Sequence, residues 1–295
     1  MKRSVVALIA SVSLFVFTTC QKDETSSPEP PPPPPENTEL EAIIANTPVD
    51  PDAIALEILE ETNWEQTDFE REGQGGTAPG QLESVDKAFL ADGIAHYTFI
   101  LTLGDGEYDK IGLHRIVRES GSGQPETSGT GLLHLHGDGN QFATVMLPGV
   151  DAPGLPEEAG LAVYLARNGV DVWGIDQAWA LVPPEVTDHS FMQDWGLDRQ
   201  IRDSRIALAI ARILRFRTGS GLGELFLSGH SSGATIGYAL LNQEAPEDPM
   251  LRHVKGYIPM DFPAMSNDET FIGGMVQRYE DATDLIEGGM YAAAF

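Results

Sequence analysis

Apolar residues along this chain alternate between a spacing of two and a spacing of three to four, and the switch recurs from about residue 86 onward. His96 to Leu103 and Lys110 to Arg118 are rich in β-branched and apolar residues, and Gly104-Asp105-Gly106 between them supplies turn chemistry, which predicts a hairpin. Gly131 to His136 is a short apolar run that ends in a glycine-rich loop, His136-Gly137-Asp138-Gly139-Asn140. Pro156 to Arg167 reads as a helix, with Pro156 in its first turn, Leu161 and Leu165 four apart and Asn168-Gly169 as its stop. Val170 to Asp176 is the next buried strand. Asp198 to Arg217 predicts a longer helix with Ile206, Ile210, Ile213 and Leu214 on one face, arginines on the other and Gly219 just past its end. Glu224 to His230 and Val254 to Met260 read as two further strands, with a helical Ala234 to Asn242 between them. Six strands alternating with helices imply an α/β domain, a mostly parallel sheet with helices on both faces. That layout serves enzymes and binding proteins alike, so function has to come from the site.

Upstream of residue 86 the pattern changes. Glu39 to Glu83 shows a modest helical signal through Ile54, Leu56, Ile58 and Leu59, followed by a glycine-rich polar stretch from Gly73 to Gly80. Residues 39–85 therefore read as a helical or irregular subregion packing on a main domain at 86–295. At the start, Lys2 and Arg3 precede an uncharged run from Ser4 to Thr19 whose apolar part is too short to span a bilayer comfortably, which is the form of a signal peptide over 1–19. Residues 20–38 contain Cys20, the one cysteine, and the proline run Pro30 to Pro35, a segment that cannot bury apolar surface and favours an extended spacer. The leader resembles that of a bacterial lipoprotein, in which Cys20 is acylated. It carries Phe17 and Thr19 where such leaders prefer Leu and a small Gly or Ala. The resemblance implies export and a membrane anchor through lipidated Cys20, facing periplasm or cell exterior, with plain secretion as the alternative.

Charge and composition narrow the class. The formal charge is −27 from 18 basic and 45 acidic residues, and loss of Lys2 and Arg3 with the leader leaves 16 basic residues and a charge of −29. Nucleic acid is thereby an unsuitable partner. One cysteine cannot form an internal disulfide, so stability has to come from an apolar core, for which 41% hydrophobic residues in 295 suffice.

The candidate chemistry is Gly229-His230-Ser231-Ser232-Gly233, a G-x-S-x-G sequence after the apolar Leu225-Phe226-Leu227 and before a predicted helix. A serine in a tight strand-to-helix turn is held in a strained backbone conformation. Neighbours two residues away must then lack colliding side chains, which accounts for Gly229 and Gly233. The helix start also aims backbone N–H groups at developing negative charge.

With the glycine loop at 136–140, these features resemble the α/β-hydrolase superfamily from Leu132 to Leu241. Leu161 to Gly174 and Gly229 to Gly237 are similar to its acid-lipase branch. The resemblance implies that Ser231 is the nucleophile, that His136-Gly137 is the HG motif of the oxyanion loop, and that the backbone amides of Asp138 and Ser232 hold the oxyanion. An ester, small-molecule or lipid, is the expected substrate, and no cofactor is implied.

The same resemblance orders the triad as nucleophile, acid, histidine. Asp261 follows a strand end on the catalytic edge and is a candidate acid, with a capping or turn role as the alternative. Beyond Ser231 the remaining histidine is His253, expected at the opposite end of the sheet. Phe271 to Val276 and Leu285 to Phe295, separated by the charged Gln277 to Asp284, look like the start of a cap. The expectation is a chain that stops inside this cap, short of the strands that would carry its histidine, and that hydrolyses little or nothing. Two other readings stand beside it. His134-Leu135-His136-Gly137-Asp138 is similar to the H-x-H-x-D zinc run of metallo-β-lactamase-like hydrolases, but Gly139 breaks the match and no later His or Cys cluster completes a metal site. A non-catalytic surface lipoprotein binding an apolar or carbohydrate ligand on this scaffold is the alternative function.

Overall fold

In the computed structural model, residues 50–61, 80–91, 93–121, 123–152, 154–156, 158–262 and 266–291 are described. The leader, Cys20 and the proline run fall outside them.

Helix α1 (Pro51–Glu61) buries Ile54, Ala55 and Ile58, spaced to make one face. Strand β1 (Gln81–Ala91) then pairs antiparallel with β2 (Ile94–Thr102), which pairs antiparallel with β3 (Lys110–Arg118) as the expected hairpin. β1 was not legible in the sequence, where a boundary at 85/86 cuts through it. Its residues are mostly exposed, so the apolar alternation that would mark it is missing. Next come β4 (Thr130–Leu135), the short helices α2 (Phe142–Met146) and α3 (Pro148–Asp151), α4 (Leu161–Arg167) and β5 (Val170–Asp176). The 21-residue α5 (Leu197–Arg217), β6 (Leu225–His230), α6 (Ser232–Glu244), β7 (Val254–Met260) and α7 (Glu269–Glu287) complete the order. The strand at 254–260 is thus seventh rather than sixth.

The sheet runs β1-β2-β3-β5-β4-β6-β7. Its β1, β2, β3 and β5 neighbours pair antiparallel, and β5-β4-β6-β7 pair parallel, so the sheet is mixed where a mostly parallel one was expected. The parallel half places the C-terminal ends of β4, β5, β6 and β7 on one edge, where loops carry chemistry. One face of the sheet packs Tyr97, Phe99, Leu133, Leu135, Trp173 and Leu227 against α1, α5 and α6. The other packs Ile94, Ile116 and Val172 against α2 and α4.

Two helices differ from the sequence reading for identifiable reasons. α4 begins at Leu161, not Pro156, because Gly160 takes φ 155 and the chain before it folds back, with Gly149 N–H donating to Ala159 O at 3.0 Å. The arginines of α5 do not all face water: Arg212, Arg215 and Arg217 are buried. Arg215 reaches Asp171 at 3.0 Å, and Asp171 also takes a bidentate pair from Arg115 at 2.9 and 2.7 Å. Gly131 leaves the space for this, since a Cβ there would stand 2.9 Å from the Arg215 guanidinium carbon. α7 is one helix, capped by Asp268, that runs straight through the charged stretch read as a divider. No α7 residue is buried among those described, and Phe271, Ile272, Met275 and Val276 are all exposed.

Candidate active site

Ser231 stands between β6 and α6 with φ 53 and ψ −120, a left-handed backbone that a residue with a Cβ adopts only under constraint. The constraint is visible on both sides. A Cβ at Gly229 would meet Gly233 O at 2.4 Å, and one at Gly233 would meet Leu135 O at 2.3 Å and His136 O at 2.5 Å. Only glycine allows the elbow to close on β4. Ser231 N–H donates to Met260 O at 3.1 Å, tying the elbow to the end of β7. Ser232 is the first residue of α6, so the helix itself makes no use of its amide.

The loop after β4 lies against the elbow. A side chain on Gly137 would come within 3.0 Å of Ser231 Cβ and 3.1 Å of His230 Nδ1. The loop is held at both ends by Asp176, the last residue of β5, and Gln177, which follows it. Gln177 N–H donates to His136 Nε2 at 3.1 Å, and Asp176 Oδ1 accepts from Phe142 N–H at 2.6 Å. The first bond fixes the His136 tautomer, because its Nδ1 must then donate to Gly137 O at 2.9 Å. Burial pushes the His136 pKa down, so the ring is neutral, and neither nitrogen is left for a metal or a proton transfer.

A polar layer missed by the sequence reading supports this clamp. Residues 96, 98, 114, 134, 174, 176 and 228 share the α2 side of the sheet through strand alternation. His96 Nε2 contacts His114 Nδ1 at 2.9 Å, and His114 Nε2 contacts Asp176 Oδ2 at 3.0 Å. The carboxylate can only accept, so His114 donates from Nε2. Burial would raise the Asp176 pKa, but bonds from His114 and the Phe142 amide outweigh it and hold the carboxyl below its usual range. His134 bonds Ser228 Oγ at 2.9 Å, and burial brings both His96 and His134 down to about 3. Phe142 rests flat on Gly174, where any Cβ would collide with its ring. The readable signal was a polar residue at every second position of otherwise apolar strands.

Asp261 lies just past β7 with φ 52, and among the described residues it and Ser231 are the two non-glycine positions with positive φ. Its carboxylate is 3.7 Å from His230 Nε2. His253 lies before the opposite end of β7, buried, with Arg212 Nη1 at 3.2 Å from its Nδ1. Among the described residues no histidine is hydrogen-bonded to Ser231.

A cavity of about 730 Å³ opens beside the loop, lined by Asp138 and Asn140 on one side and by Trp179, Pro183, Met192 and Trp195 on the other. Tyr291, past the end of α7, also lines it.

No family model and no curated sequence matches the chain. Solved structures do. A proposed lipase from Sulfolobus solfataricus matches at 24% identity over 60% of this chain and 49% of its own, with a TM-score of 0.46. An esterase from an Arctic intertidal metagenomic library matches at 15% over 60% and 63%, TM-score 0.38. The rice cell wall degrading esterase LipA from Xanthomonas oryzae matches at 17% over 56% and 41%, TM-score 0.36. The chain thus spans about half the length of the first of these. At such TM-scores the class is set by the molecule's own features: a mixed seven-stranded sheet with helices on both faces and a strand-elbow-helix at the parallel edge. The fold is that of an α/β-hydrolase.

Proposed function

We propose that this chain is a serine-dependent acyl hydrolase acting on carboxylic esters, small-molecule or lipid. Ser231 is the nucleophile, and the amides of Asp138 and Ser232 receive the oxyanion. The observation that carries this reading is the backbone of Ser231 at φ 53 and ψ −120, maintained by two glycines that nothing else in the turn requires. In the reaction, Ser231 Oγ attacks the acyl carbon and the bond to the leaving oxygen breaks. The hydroxyl proton passes to a base and then to the leaving alkoxide, and water later releases the acid by the same route. Asp261 is the proposed acid of the triad. Among the described residues no histidine is bonded to Ser231, and the base is not assigned to a residue. Export and anchoring through lipidated Cys20 belong to the same proposal, supported by the leader, the single cysteine and the proline spacer.

The test is stoichiometric labelling by a fluorophosphonate, followed by mass spectrometry. Attachment at Ser231 in the wild type and none in Ser231→Ala is the expected result. A wild type left unlabelled after prolonged exposure would favour the second reading, a non-catalytic module that binds an apolar or carbohydrate ligand. That reading has one observation of its own, the absence of a histidine partner for Ser231 among the described residues.

A further inference from the structure

We propose that the cavity between the oxyanion loop and the segment from Trp179 to Trp195 is an acyl-binding subsite for flat, uncharged aromatic acyl groups, and that the Asp138 side chain excludes anionic ones. The inference rests on the reading of Ser231 given above and adds to it the substrate class.

Position comes first. Gly137 abuts Ser231 closely enough that a Cβ would stand 3.0 Å from the serine's own Cβ, and the next residue, Asp138, lines the cavity. Consecutive Cα atoms are about 3.8 Å apart. Ser231 does not itself line the cavity, but an acyl group bonded to its Oγ with the oxygen at the Asp138 amide would lie one residue from the cavity wall. The volume, about 730 Å³, falls in the range of small-molecule sites.

The lining decides the chemistry. Trp179, Trp195, Pro183 and Met192 supply broad apolar surface. Trp179 is fixed edge-on against His136 at 5.1 Å, and Trp195 has the Arg199 guanidinium over its ring at 4.0 Å and meets Phe191 in an edge contact at 5.3 Å. Rings held this way present rigid surfaces without an ordering cost, which favours a planar group. Arg199 is itself engaged by Asp109 at 2.6 Å and Asp203 at 3.3 Å and does not line the cavity. The titratable groups that do are Asp138, His189 and Tyr291, with no Lys or Arg among them. Among the described lining residues a substrate carboxylate would meet one exposed carboxylate and no Lys or Arg, inside a chain of charge −27. At a spacing of several ångströms near the surface, that repulsion corresponds to roughly a five- to tenfold loss of affinity.

Binding separates this proposal from the catalytic one. Methyl benzoate and its anionic analogue monomethyl terephthalate are titrated into full-length Ser231→Ala protein at low salt, following tryptophan fluorescence, with Trp179→Phe/Trp195→Phe as control. Tighter binding of methyl benzoate by about five- to tenfold, loss of that preference in Asp138→Asn, and loss of the signal in the double-tryptophan variant are expected. Equal affinity for the two esters, or a preference that survives Asp138→Asn, overturns the charge selection. A full signal in the double-tryptophan variant places the ligand elsewhere and overturns the subsite. If the ligands bind as expected while wild-type Ser231 resists phosphonylation, the subsite stands and the hydrolase reading falls.

Discussion

The carboxylate of Asp176 accepts the backbone N–H of Phe142 at 2.6 Å, so the end of β5 holds the start of the first helix after the glycine-rich loop at 136–140. With the Gln177–His136 bond next to it, this makes the loop a span pinned at two points. Removing the carboxylate leaves a buried amide and a buried imidazole, His114, without their acceptor, at about 1 to 3 kcal/mol each. Asp176→Ala is expected to lose about 3 kcal/mol of stability by denaturant unfolding, and to increase amide exchange at Phe142 well above that of the β6 core. Unchanged exchange at Phe142 would show that the loop is held by packing alone.

Ser231 illustrates strain that glycine would relieve. Ser231→Gly removes the Cβ from a left-handed backbone and is expected to raise stability by about 1 kcal/mol while abolishing phosphonate labelling. The opposite change at the neighbours is costly. Gly233→Ala drives a methyl to within 2.3 Å of Leu135 O and should lower stability by more than about 2 kcal/mol. A neutral Gly233→Ala, measured by thermal unfolding, would mean that the elbow tolerates opening.

If Ser231 is the nucleophile, with no histidine bonded to it among the described residues, it should respond to an imidazole supplied from solution. Added imidazole is expected to speed phosphonylation of wild-type Ser231 by roughly tenfold, well short of a positioned base, and to leave Ser231→Ala unlabelled. A rate independent of imidazole at constant pH and ionic strength would indicate that the protein provides its own base.

Buried neutral histidines set an acid limit. His96 and His134 titrate near 3 in the folded protein against 6.5 when unfolded, both through burial first. Between those values the unfolded chain takes up protons that the native state refuses. Stability is therefore full above pH 6.5 and falls as pH drops toward 3, by up to about 1.4 kcal/mol per pH unit for each ring. Urea unfolding between pH 7 and 4.5 should show this slope, and His134→Leu should flatten it by one histidine's share. An unchanged slope would remove His134 from the account.

The ion cluster on the opposite face is a different liability. Asp171 is fully buried between Arg115 and Arg215, and Asp171→Ala would strand two guanidinium groups in the core. A loss of about 3 to 5 kcal/mol is expected. A loss under 1 kcal/mol, measured by chemical denaturation, would mean that water reaches the pair.

Much of this protein was determined by its sequence alone. The alternation of strand and helix from residue 94, the hairpin and the G-x-S-x-G elbow are local matters, because strand periodicity, turn glycines and steric limits near a strained serine act within a few residues. The direction of β1 and the mixed sheet were decided by pairing between distant segments, which no local pattern records. So were the buried arginines. Arg212, Arg215 and Arg217 read as a solvent face in one helix, and only the arrival of Asp171, Asp52 and the loop carbonyls of Leu222 and Arg252 makes their burial tolerable. The histidine layer beneath the glycine-rich loop has the same origin. Each ring lay in plain view at an alternate strand position, but its partner lies tens of residues away, 62 in the case of His114 and Asp176. Hydrogen bonds of that reach come into being only when the sheet is assembled, and they give the loop beside Ser231 its shape.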